Sequence, residues 1–178
     1  MTALRPRRKR LELERLMKDW IISGSLAPGE RLPSYDVLED KFDASRVTFH
    51  HVLNQLKQDG FVRSVERKGV FVADRPPHLH RFALLFQKHE RTNLFWKTLA
   101  DRAMAINEAN RAEFVIFRGN DVQEVERDHW EVLADLLERR MLGGVCVTFR
   151  PTGLGLVKTL KAHPKVPKVV FGGSEAFE

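Results

Sequence analysis

Arg46, Thr48, His50 and His51 follow Ser45 in one short stretch, Ser-Arg-Val-Thr-Phe-His-His. Their side chains suit the recognition of an anion or a base edge. The guanidinium of Arg46 is a planar fork that matches paired acceptors on a guanine or a phosphate. Thr48 adds a hydroxyl, and imidazoles gain charge near neutral pH. A second basic group, Arg67-Lys68-Gly69, adds two cations beside a glycine. This is binding chemistry. No Ser/His/Asp pattern or paired carboxylate stands out, so an enzyme is not expected. His78 and His80 lack a third ligand nearby in sequence, so neither metal nor cofactor is expected. Cys146, mid-strand and the single cysteine, reads as packing and excludes an internal disulfide. Thr152–Lys158 resembles a dinucleotide loop only loosely, because Lys158 occupies the place of the third glycine.

The elements around these residues spell a winged helix-turn-helix. Leu13, Leu16, Met17, Trp20 and Ile21 recur at helical spacing and predict a first helix over 8–23, preceded by a basic arm, Arg5–Arg10. Gly24 ends it, and Ala27-Pro28-Gly29-Glu30 is a turn. Ser34 is placed to cap a second helix through its hydroxyl, with Tyr35 and Asp36 in the first turn and Val37, Leu38 and Phe42 facing the core. Asp43-Ala44 turns the chain, and Ser45 caps a third helix that Gly60 closes. On that helix Phe49, Val52, Leu53 and Leu56 form the buried stripe. Val47, His50, His51 and Asn54 are left on the opposite face, with Arg46 at its edge. Phe61–Val65 and Val70–Val72 then flank a basic turn, Glu66–Gly69, as a hairpin. A recognition helix beside a basic wing implies double-stranded DNA as the partner.

The chain has 178 residues, 43 % of them hydrophobic and 30 % charged, a composition that argues against disorder. Residues 1–75 hold fifteen Lys and Arg against eleven Asp and Glu, and the rest fifteen against thirteen, so the excess of positive charge favours polyanions. No apolar run approaches a membrane span, and the single cysteine suits a reducing cytosol.

Residues 10–73 resemble the DNA-binding domain of the GntR-type regulators. The family's Gly-x-Leu-x-Pro-Gly turn is matched by Gly24–Gly29, and its Leu-Pro-Ser cap by Leu32-Pro33-Ser34. The Ser-Arg-x-Thr helix start is matched by Ser45–Thr48, and the Gly-Lys-Gly-x-Phe-Val wing by Arg67–Val72. The resemblance implies DNA contacts from Arg46, Thr48, Lys68 and Gly69. Ser34, Tyr35, Ser45, Val47, His50, His51 and Arg67 complete the candidate interface. In two places where the family carries a DNA-contacting Arg, this chain has Asp36 and His50. The resemblance therefore implies weaker binding or a different operator. It also implies a bacterial cytoplasmic setting, on the nucleoid.

After a linker at 75–81, strands at 82–86, 114–117, 144–149 and 166–171 alternate with helices at 94–110, 125–140 and 154–162. That alternation predicts a parallel α/β sheet. Asn93-Leu94-Phe95-Trp96, Leu142-Gly143-Gly144-Val145 and Val166-Pro167-Lys168-Val169-Val170 resemble the start of the sensor domain of LacI-type repressors, relatives of the type I periplasmic binding proteins. The resemblance implies that Asn93, Phe95 and Trp96 meet a sugar-like effector. It also implies that residues 82–178 are a partial lobe, leaving an incomplete sheet.

The expected architecture is thus mixed. Residues 1–74 form a winged helix (α+β), and 82–178 an incomplete parallel α/β sheet. The expected function is a DNA-binding transcriptional repressor that acts on a palindromic operator, is controlled by a carbohydrate-like effector, and dimerises at full length. A second reading is a DNA-binding protein without ligand response, because its sensor is truncated. A third is an α/β enzyme fragment fused to a winged helix.

Overall fold

The computed structural model describes residues 4–87, 94–119, 127–149 and 154–171. The chain divides into two compact units, Met1–Pro77 and His78–Glu178. The first holds α1 (Leu4–Ile22), α2 (Tyr35–Phe42), α3 (Arg46–Gln58), β1 (Val62–Val65) and β2 (Gly69–Val72).

Helix α1 begins at Leu4, so the whole basic run, Arg5–Arg10, lies within the helix and not in an arm ahead of it. Leu13, Met17 and Ile21 are buried one turn apart, as their spacing requires. Leu16 departs from the expected stripe and is 48 % exposed, while Trp20 is half-buried. The buried face is instead extended by a charged residue, Lys18, at 1 % exposure. Its ammonium donates to Asp59 Oδ2 at 2.6 Å and to Glu14 Oε1 at 2.7 Å, and lies 5.3 Å from the Phe61 ring centre. Asp59 is the C-cap of α3, where a negative charge opposes the helix dipole. Lys18 offsets that charge, and Gln55 Nε2 donates to the other carboxylate oxygen at 3.0 Å. The network ties α1 to the end of α3, just ahead of the wing.

Gly29, at φ +78°, makes the turn in which the Glu30 N–H donates to Ala27 O at 3.0 Å. Residues 29–32 then run along the wing. The Leu32 N–H donates to Val70 O at 2.9 Å, and the Val72 N–H to Glu30 O at 2.8 Å. Ser34 occupies the N-cap of α2 in extended conformation, but its hydroxyl makes no capping hydrogen bond, contrary to expectation. Val37 is 51 % exposed and leaves the expected core; Leu38 is buried. Phe42 is half-buried, its ring 5.6 Å from that of Trp20 and 6.1 Å from that of Phe49. Asp43 turns the chain at φ +46°. Ser45 does cap α3, accepting from the Thr48 N–H at 3.4 Å. Phe49, Val52, Leu53 and Leu56 are all buried.

The second unit holds β3 (Arg81–Gln87), α4 (Leu94–Glu108), β4 (Glu113–Gly119), α5 (Arg127–Glu138), β5 (Gly144–Val147), α6 (Leu154–Ala162) and β6 (Lys168–Val170). The four strands are parallel in the order β4-β3-β5-β6. Alternate residues of each strand face opposite sides, and both sides are apolar because helices cover both. Ala83, Leu85, Val145 and Val147 pack with Leu133 and Leu137 of α5 and Leu156 and Leu160 of α6. Leu84 and Phe86 pack with Ala100 and Ala103 of α4. Helix α4 stops at Glu108, short of the expected Asn110, which takes φ +53°. Strand β6 is likewise shorter than 166–171, although Val166 is buried in the core. The Asn107 side chain accepts from the Phe114 N–H at 2.7 Å and donates to Phe114 O at 3.0 Å, tying α4 to the outer edge of β4. Gly143 is sterically required, since a Cβ there would run into the His78 carbonyl oxygen.

Lys18→Met should destabilise the first unit by about 3–5 kcal/mol, because Asp59 is then left buried without its cation. Lys18→Met combined with Asp59→Leu should recover most of that loss. Urea unfolding of the three chains checks both results.

Candidate nucleic-acid interface

The N-terminal half of α3 presents a continuous exposed surface. Ser45, Arg46, His50 and His51 are exposed, Val47 is 69 % exposed, and Thr48 is half-buried. Their exposure follows from the burial of Phe49, Val52 and Leu53 on the opposite side. The imidazoles of His50 and His51 stand 6.2 Å apart, nearly perpendicular at 80°. The Asn54 amide lies 3.4 Å from His50 Nδ1. Thr48 Oγ1 is 3.0 Å from Ser45 Oγ, so the capping serine also orients the threonine hydroxyl. Ser34 is exposed and Tyr35 half-buried at the start of α2. The Arg46 guanidinium lies over the Tyr35 ring, 5.1 Å from its centre. The structure therefore brings Tyr35 and Arg46 together across the helix-turn-helix. Asp36 is exposed in the first turn of α2.

The wing pairs Val62 with Val72 and Val65 with Gly69 in antiparallel register. Its tip is closed by the Lys68 N–H donating to Val65 O at 3.1 Å. Arg67, not glycine, takes the left-handed place in the turn at φ +59°. Gly69 opens β2 at φ +113°, a conformation open almost solely to glycine. A Cβ on Gly69 would stand 3.1 Å from Arg31 Nε. Arg31, missed in the sequence pattern, thus lies against the wing; its residue bridges Phe71 as a further short strand. Its one legible signal was its place in Glu30-Arg31-Leu32, between a turn and a helix start. Arg67 and Lys68 are both exposed.

The other candidates lie in the second unit. Phe95 is 62 % exposed and Trp96 half-buried at the start of α4, with ring centres 4.7 Å apart. Trp96 also meets Phe86 of β3 edge-on at 6.4 Å. Asn93 lies outside the described residues, as do Thr152 and Gly153 of Thr152–Lys158. Among the described residues no group of three or more His, Cys, Asp or Glu is placed to hold a metal ion, and no helix is long and apolar enough to cross a membrane.

Three helices, with the third exposing its polar N-terminal half, followed by a basic two-stranded hairpin, define a winged helix-turn-helix. Residues 9–72 match the model of the bacterial regulatory proteins of the gntR family, and the first unit carries a winged-helix DNA-binding domain of that family. The chain is 32 % identical over 69 residues to the arabinose metabolism transcriptional repressor of Geobacillus stearothermophilus, a match over 39 % of this chain and 19 % of that protein. It is 31 % identical over 68 residues to MngR, the mannosyl-D-glycerate transport/metabolism system repressor of Escherichia coli (strain K12), over 38 % of this chain and 28 % of that one. The chain therefore covers less than a third of the length of either relative. Among solved structures, the DNA-binding domain of AraR in complex with operator ORR3 is similar at 29 % identity and a TM-score of 0.35, over 36 % of this chain and 78 % of that one.

Gly69→Ala should distort the wing, because alanine is strained at that φ and its methyl would displace Arg31. A loss of about 1–3 kcal/mol in unfolding free energy is expected. Thermal melts of the two chains measure it, and an unchanged midpoint would show that the wing relaxes freely.

Proposed function

We propose that this chain is the DNA-binding part of a transcriptional repressor, with residues 1–74 as the operator-reading domain, 75–81 as linker and 82–178 as part of an effector sensor. The observation that carries the DNA reading is the gntR-family match over a winged helix whose exposed face holds Arg46, Thr48, His50 and His51. In this reading Arg46 and Thr48 meet base edges or phosphate in the major groove. Ser34, Tyr35, Ser45 and Val47 line the approach, and His50 and His51 extend the contact. Arg67, Lys68 and Gly69 bring the wing to the backbone or minor groove. The operator is a palindrome and the full-length protein a homodimer, as two-fold half-site recognition requires.

The effector reading rests on the sheet. In an open parallel sheet ligands bind beyond the C-terminal ends of the strands, where the order reverses. Here that place lies between β3 and β5, and α4 begins beyond the end of β3 with Phe95 and Trp96. Two adjacent aromatics suit the apolar face of a sugar ring. The names of the two relatives, which concern arabinose and mannosylglycerate, point to the same ligand class. Asn93 completes the proposed contact set.

Selection from a pool of random duplexes should recover a specific site with the 178-residue chain. Affinity for it should fall steeply with salt, as counterions are released from the phosphates. Arg46→Ala should weaken binding by about tenfold to a hundredfold and relax one operator position if Arg46 reads a base. A chain that retains no duplex in the selection refutes the DNA reading.

Trp96 gives the effector reading its own test. Arabinose and related monosaccharides should change the intrinsic tryptophan emission saturably, and Trp96→Ala should remove the change. A flat titration across the panel for a chain that still binds its duplex leaves the reading of a DNA-binding protein without ligand response.

A further inference from the structure

The interface described above contains one contact that the DNA-binding role does not itself require. Arg46 opens the recognition helix and Tyr35 opens the preceding helix, yet their side chains meet face to ring at 5.1 Å. We infer that Tyr35 is a positioning residue for DNA recognition, acting through Arg46 as a platform that holds the guanidinium ready before DNA arrives. The inference rests on the DNA-binding reading and adds to it the side chain that sets the aim of its central contact.

The geometry fits that role. Arg46 is exposed, so without a partner its long side chain would sample many rotamers, and ordering them on binding is costly. Tyr35 is half-buried at the first position of α2, where the helix backbone fixes its origin. A guanidinium resting on an aromatic face is held through its π surface and by the ring quadrupole. Its N–H donors lie in its plane and stay available for two acceptors on a base or phosphate. Among the described residues no carboxylate lies within ion-pair distance of Arg46, so the guanidinium over the Tyr35 ring is not committed to an internal salt bridge. The contact also joins the two helices on either side of the Asp43 turn, so the aim of Arg46 is tied to the position of α2.

The test is a double-mutant cycle between Tyr35 and Arg46 in the full 178-residue chain. The probe is a fluorescein-labelled duplex recovered by random-site selection with the wild-type chain, and a random-sequence duplex serves as reference. Tyr35→Ala should weaken binding to the selected duplex by about threefold to tenfold, the range expected for releasing one ordered, stacked side chain. Tyr35→Phe keeps the ring and should keep the coupling to Arg46 in the cycle, whatever the loss of the hydroxyl does to affinity directly. Tyr35→Leu keeps the bulk without the aromatic face and should behave like Tyr35→Ala, with a melting midpoint that shows the domain intact. In an Arg46→Ala background, Tyr35→Ala should have no further effect. Equal losses from Tyr35→Ala with and without Arg46 would overturn the positioning role while leaving the DNA reading in place. So would full affinity in Tyr35→Leu. A wild-type chain that binds neither duplex would overturn both.

Discussion

The first unit depends on one buried ion pair. Lys18 is enclosed at 1 % exposure, with the Asp59 and Glu14 carboxylates at 2.6 and 2.7 Å. A buried charge is tolerated only when it is paired and hydrogen-bonded. Here the pairing also serves as an alignment device. Asp59 closes α3, Gly60 follows at φ +79°, and Phe61 begins the run into the wing. Lys18, approaching from α1, therefore fixes the point from which recognition helix and wing diverge. The apolar packing of α1 on α3, whose buried stripes are Leu13, Met17 and Ile21 and Phe49, Val52 and Leu56, is weakly directional. The ion pair supplies the register between α1 and α3 that such packing leaves loose.

The second unit is organised by close approach of backbone. Strand β3 is central, with β4 on one side and β5 on the other, and the two crossovers place helices on opposite faces. Gly143 permits the entry of β5 beside the start of β3, where its N–H donates to Arg81 O at 2.7 Å. At the other end of the same strands, the Thr148 hydroxyl donates to Leu85 O at 2.9 Å, and its N–H reaches the same oxygen at 3.0 Å. Side chain and backbone thus continue the β3–β5 pairing past the last strand residue.

What the sequence made legible follows from the physics of each signal. The third helix was readable because its stripe, Phe49-Val52-Leu53-Leu56, is strict and its cap and terminating glycine are local. The parallel sheet was readable because apolar runs alternate with amphipathic ones. Periodicity could not separate Leu16 from Leu13, since both fit a broad helical face; the tertiary partner decides, and α3 meets only one side of α1. Nor could it find Lys18, whose burial depends on Asp59, forty-one positions away. Ser34 has the right residue type and backbone for a cap, yet its hydroxyl does not close the bond. Glycine in Arg67-Lys68-Gly69 signalled a turn, but the turn places Arg67 in the left-handed conformation and spends Gly69 on the approach of Arg31. Arg31 was missed for the same reason as Lys18: its role comes from a strand pairing that no local pattern announces.

The placement of permanent charge on this surface has its own logic. Relative to the GntR-like pattern, α2 carries Asp36 and α3 carries His50 where arginines are expected. Fixed cations are therefore sparse on the helix-turn-helix itself, and Arg46 stands at its centre. Those near the wing, Arg31, Arg67 and Lys68, surround the hairpin. Phosphate attraction is non-directional and acts over a Debye length, so in the proposed DNA-binding role charge placed on the wing would still draw the domain to a duplex. Base reading is directional, and in that proposed role it would fall to fewer side chains held in fixed geometry. In the proposed role, such a domain would rely on the order of Arg46 more than one with several arginines on its recognition face. That places the demand for precision on the capping pair Ser45–Thr48 and on the packing of α2 against α3.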